Sequence, residues 1–128
     1  FMMLVDAAAR AGDEAAIRKF TPRLEDLALR DDHKPYLAVA HRAWGIALRL
    51  SGEFEEAETR LGKALEIFGE IEASWQIGRT LYELGELALV QTDGVAAHSY
   101  FMLAQTRFEE LGAKPDIART AKLLENLN

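Results

Sequence analysis

The chain has 128 residues, 49% of them hydrophobic and 28% charged, with a formal net charge of −6 and no cysteine. Such a composition builds a core in one domain or one slice of an array, and it excludes a disordered tail, a disulfide scaffold and thiolate chemistry. The acidic balance argues against a nucleic-acid binder, whose phosphate contacts need a basic surface.

Taken in chain order, the apolar opening Phe1–Val5 has no basic leader and ends at Asp6, so it is not a secretory signal. A start at Phe1 leads us to expect a fragment of a longer chain. A helix is predicted over 13–30. Proline in a helix interior removes a hydrogen bond, so Thr21-Pro22 predicts a kink or a split there. Asp31-Asp32-His33 reads as a polar turn. Next, Leu37, Ala40, Trp44, Ala47 and Leu48 recur at three- and four-residue spacing, one face of a helix that Ser51-Gly52 ends. Glu53, Glu55, Glu56 and Glu58 open the following helix at its positive dipole end, and Phe54, Ala57, Leu61, Ala64, Leu65 and Phe68 form its stripe.

The pattern then repeats. Leu81, Leu84, Leu87 and Ala88 mark a helix that stops at Thr92-Asp93-Gly94, where Thr92 or Asp93 can cap the next. Val95, Ala97, Phe101, Ala104 and Phe108 follow, and Leu111-Gly112-Ala113-Lys114-Pro115 closes that helix and starts a last one. Its longest charge-free stretch, Gly94–Thr106, is far short of the ~20 residues that span a bilayer.

A 40-residue slide brings Gly45 onto Gly85, Ala57 onto Ala97, Ala64 onto Ala104, Phe68 onto Phe108, Ile77 onto Ile117, Arg79 onto Arg119 and Thr80 onto Thr120. The chain therefore divides into a degenerate repeat over 1–34, repeats over 35–74 and 75–114, and a terminal helix over 115–128. Gly45 and Gly85 each cost ~1 kcal/mol in a helix interior, so their register implies a close helix approach.

These residues resemble the tetratricopeptide repeat (TPR) family. Trp44-Gly45, Leu48, Ala57, Leu61 and Ala64 in one repeat, and Leu84-Gly85, Ala88, Ala97, Phe101 and Ala104 in the next, match its pattern of bulky, Gly and Ala positions. The period of 40 exceeds the family's usual 34, and the customary proline after the second helix is absent. The resemblance implies an all-α, right-handed superhelix of antiparallel helix pairs, about 7 helices in 3 to 3.5 repeats. It implies a non-catalytic module that binds a peptide or protein segment in a concave groove and needs no cofactor. Longer repeats of this kind look like those of bacterial multidomain regulators. Carried over by position, the groove takes Val39, Arg42, Ile46, Arg49 and Leu50; then Arg79, Tyr82, Glu86, Leu89 and Val90; then Arg119, Lys122 and Asn126.

That strip is locally basic in an acidic chain, which favours an acidic partner. The family's carboxylate-clamp subset uses Lys and Asn where Arg42 and Ile46 stand, so that specificity is not implied. The expected setting is cytoplasmic, with no nucleic acid and no membrane. The alternative is a self-assembly or spacer segment of a larger regulator, homodimeric through its exposed terminal helices. Of the histidines, His33 reads as loop, His41 as a satisfied packing residue, and no two form a metal-ligand spacing with His98. Gly62-Lys63-Ala64 lacks the flanking residues of a phosphate loop. No serine sits in a nucleophile-elbow context.

Overall fold

The structure is a computed structural model that describes residues 1–127; Asn128, the last residue of the expected terminal segment, lies outside the described residues. Among the described residues there are seven α-helices and no strand, so the all-α expectation holds. The chain divides into two compact units, Phe1–Ile71 and Glu72–Asn128. The N-terminal unit holds α1 (Met2–Ala11), α2 (Glu14–Arg30), α3 (Lys34–Leu50) and α4 (Phe54–Glu70), and the C-terminal unit holds α5 (Ser74–Val90), α6 (Gly94–Leu111) and α7 (Lys114–Asn126). Among the described residues no helix is long and apolar enough to cross a membrane.

The 40-residue periodicity resolves into halves. From α2 onward the helices begin at residues 14, 34, 54, 74, 94 and 114, one every 20 residues. Two residues before each start the backbone turns left-handed, at Gly12, Asp32, Gly52, Glu72, Thr92 and Gly112, with φ between 50° and 82°. At Gly12, Gly52, Thr92 and Gly112 the turn is a Schellman motif. In the second of these, the Gly52 amide donates to the Arg49 carbonyl and the Glu53 amide to the Leu48 carbonyl. The residue after the left-handed one is then the N-cap of the next helix. Asp13 and Asp93 accept from the amides three residues on, and His33 does so through Nδ1 at 3.1 Å. Asp93, not Thr92, is therefore the cap of α6.

The split considered for α2 does not occur. The helix runs unbroken through Pro22, and Thr21 does not cap a fresh helix: it is buried inside α2, its Oγ1 without a hydrogen-bond partner. The fully buried stripe Ile17, Leu24 and Ala28 runs along the same face as Thr21, so packing carries the helix past the missing backbone donor.

At Gly45 and Gly85 the helices do approach closely. A Cβ on Gly45 would lie 2.6 Å from Leu61 Cγ, and one on Gly85 would lie 2.5 Å from the Phe101 ring. Gly78, which no repeat match singles out, is as tight, at 2.6 Å from Phe108. These contacts hold α3 to α4 in one unit and α5 to α6 in the other. Leu61, Phe68, Phe101 and Phe108 are at most 1% exposed. Burial of each such side chain contributes about 2–3 kcal/mol.

Candidate functional site

In the N-terminal unit the groove positions lie on α3. Arg42 is 1% exposed: its Nη2 donates to Asp6 Oδ1 on α1 at 3.2 Å, and its Cζ lies 5.2 Å from the centroid of Phe68 on α4. Ile46 is fully buried and Val39 nearly so. These three do not line an open surface. They are interior residues that tie α3 to its neighbours, because the side of α3 that carries them is packed as well as the side that meets α4. Arg49 is half-buried and Leu50 is exposed.

The C-terminal unit places its share on α5 and α7. Arg79 is also interior rather than solvent-facing. Its Nη1 lies 3.8 Å from Glu83 Oε2, both side chains are under 8% exposed, and its Nε is buried with no hydrogen-bond partner. Tyr82 is half-buried, with its ring edge-on to Phe101 at 5.6 Å between centroids. Two guanidiniums flank that ring, Arg79 at 5.9 Å and Arg119 at 5.6 Å, within the range of cation–π attraction. Burial, together with the charges of Glu86 and Glu83, pushes the Tyr82 phenol up to about 12, against the opposing pull of Arg119 and Arg79.

Arg119 donates through Nη2 to Asp116 Oδ1, while Asp116 Oδ2 accepts from Trp75 Nε1 at 2.9 Å. The buried Asp116 thus joins the start of α5 to the start of α7. Neither Trp75 nor Asp116 emerges from the repeat pattern. Trp75 occupies the position that Pro35 and Pro115 hold at the other two helix starts, and that exchange was the available signal. Glu86 and Leu89 are half-buried, Val90 is 49% exposed, and Lys122 and Asn126 are exposed on α7.

The structure thus brings Arg79, Tyr82 and Arg119 together, with Lys122 one turn along α7. Electrostatically the cluster is balanced rather than basic. Arg79 pairs with Glu83 and Arg119 with Asp116, so each of its guanidiniums has a carboxylate beside it, as Arg42 has Asp6 within the N-terminal unit.

The histidines fall as packing and capping residues. His33 caps α3 and stacks on Tyr36 at 3.7 Å. His41 Nδ1 lies 3.0 Å from Arg60 Nη1, which also meets Glu25 Oε2 at 2.6 Å. Arginine only donates, so Nδ1 accepts and the ring proton sits on Nε2. Burial, and then the Arg60 charge, holds His41 below the usual histidine value. Among the described residues no three His, Asp or Glu side chains are grouped as a metal site. Gly62-Lys63-Ala64 lies within α4, whose backbone is helical throughout.

Comparison with protein-family models and with curated proteins gives no match for the chain.

Proposed function

We propose that the chain is a non-catalytic protein-interaction module of the TPR-like class, a right-handed superhelical repeat working in the cytoplasm. It holds a peptide or partner-protein segment against α5 and α7. The observation that carries this reading is the half-exposed Tyr82 ring between two guanidiniums, with Lys122 and Val90 exposed on the same two helices. Tyrosine and arginine with apolar neighbours are the residue types that dominate interface energetics. Arg42, Ile46 and Arg79 hold the helices in place, while Tyr82, Arg119 and Lys122 make the contacts. The partner is an acidic segment: its carboxylate competes with Asp116 for Arg119 and meets Lys122 directly.

The test is a peptide-display selection on the immobilised chain, followed by affinity measurement. Acidic peptides should be enriched, and Arg119→Gln with Lys122→Glu should weaken them at least about tenfold. Rising salt should weaken them as well. Selected peptides that bind the double variant equally well, or a selection that enriches no sequence, would refute the reading.

A further inference from the structure

Helix α6 has an outer face unlike those of the other long helices. Over 95–106 its outward positions are Val95, His98, Ser99, Met102, Leu103 and Thr106, all exposed and none a carboxylate, lysine or arginine; the exposed Glu109 and Glu110 follow at its C-terminal end. Forty residues earlier, α4 carries Glu55, Glu58, Thr59, Gly62, Lys63 and Glu66 at the same positions. Forty residues before that again, α2 exposes Arg18, Lys19, Arg23 and Asp26 along its outward side. On α6 Val95 is 83% exposed, Met102 48% and Leu103 54%, so large apolar side chains stand in water where the repeat otherwise places charge. Two shallow hollows run along this face, one floored by His98, Ser99 and Met102, the other reaching from Val95 to Leu127.

We propose that this face is covered by α6 of a second copy of the chain, packed antiparallel about a two-fold axis that passes between Ser99 and Met102. This proposal stands apart from the peptide reading above, since it uses neither Tyr82 nor the cations of α7.

Charge points to a second copy. Each chain carries a net −6, so two copies meeting through an acidic face such as that of α4 repel. The α6 face lacks that penalty over its whole central stretch. Shape points the same way. In the antiparallel register Ser99, the small residue, faces Met102 of the second copy, and Met102 faces Ser99 in turn. Val95 lies opposite Thr106, and His98 opposite Leu103. A small residue opposite a large one on both sides of the axis is what interlocking side chains require. The antiparallel arrangement also opposes the two helix dipoles.

Size sets the strength. An 18-residue helix is about 27 Å long, and one face of it offers a strip of roughly 400 Å². Two such strips bury less than the ~1,200 Å² at the lower end of specific interfaces, so the dimer is weak.

Sedimentation equilibrium of the full chain over rising concentration tests this. The mass should climb from 14.3 kDa toward twice that value, and added salt should favour the climb by screening the net charge. Met102→Glu should hold the chain at monomer mass with unchanged helical circular dichroism. Gly62→Glu, the same change at the matching position of α4, should leave dimerisation intact. Because the chain has no cysteine, a mixture of Ser99→Cys and Met102→Cys chains should form the mixed disulfide in preference to either homodisulfide. A chain that stays monomeric at every concentration assigns the face to an unlike partner and overturns the proposal. Dimerisation that survives Met102→Glu, or that Gly62→Glu abolishes equally, overturns it too. A preference for homodisulfides overturns the register.

Discussion

Helices α4 and α6 have the same inside and opposite outsides. Inward, Ala57, Leu61, Ala64 and Phe68 correspond to Ala97, Phe101, Ala104 and Phe108, and all eight are at most 1% exposed. Outward, Glu55, Gly62 and Lys63 of α4 give way to Val95, Met102 and Leu103 of α6. The inner face is set by how closely a helix must approach its partner, and that demand recurs every 40 residues. The outer face answers to whatever meets it, water on α4 and, by our proposal, another α6.

The largest effect should come from breaking the shared inside. Gly85 faces the flat, fully buried Phe101 ring, whereas Gly45 faces the branched Leu61 side chain. Gly85→Leu should cost more than about 3 kcal/mol and unfold the C-terminal unit's helix pair, read as lost cooperativity in thermal melting. Gly85→Ala alone should destabilise, because the ring has to move. Adding Phe101→Leu, which copies the pair found in the other unit, should recover part of that loss. No recovery would mean that the contact is not what holds α5 to α6.

Arg42 offers the next largest effect. Arg42→Ala removes a buried guanidinium from Asp6 and Phe68 and should cost about 2–4 kcal/mol, reduced because the 21% exposed Asp6 side chain regains some water. Lys122→Ala, on the exposed side of α7, should stay within ~0.5 kcal/mol. Equal melting temperatures for these two variants would contradict the division between scaffold and contact cations.

The helix pattern was legible in the sequence because each of its signals is local. Stripe spacing, Gly52 and Gly112, Asp93 and the Gly45–Gly85 register each speak for their own turn or contact. Gly78 escaped because the matching residue in the other unit is Ala38, so no repeat match marks it. The depth of the groove residues escaped for another reason. Repeat register says which side of a helix a residue occupies, not whether that side is open. Arg42 is buried through Asp6, 36 positions away, and Asp116 joins Trp75 across 41. Such partners have no periodic signature. The Arg79–Glu83 spacing was visible as an i,i+4 pair, but its burial was not. The charge-free run on α6 was equally visible, and only its exposure gives it a meaning other than core.

A smaller effect separates the turns that link the paired helices. Gly52 and Thr92 occupy the same left-handed position, with φ of 82° and 59°. A β-branched residue there is strained by roughly 1–2 kcal/mol, and glycine is not. Thr92→Gly should therefore stabilise the chain by up to about 1 kcal/mol, after the added freedom of the unfolded chain is set against the relief. Gly52→Thr should destabilise by a similar amount. Chemical denaturation measures both, and a destabilised Thr92→Gly would contradict the strain argument.

The smallest effect is one of pH, and it belongs to the C-terminal unit alone, since the position matching Tyr82 in the other unit is Arg42. The folded Tyr82 phenol ionises near about 12, against 10.0 for the free group. A phenol raised on folding contributes stability that is complete below pH 10 and is lost as pH rises from there through about 12. Tyr82→Phe keeps the ring against Phe101 and removes the titration, so its stability should fall less steeply over that window. Glu86→Gln should draw the phenol back toward its free value, because one of the charges that raises it is gone. Absorbance of the phenolate, followed against pH in the two proteins, reads that shift directly. A curve unmoved by Glu86→Gln would leave burial and Glu83 as the causes of the raised value and remove Glu86 from the surroundings of the proposed contact residue.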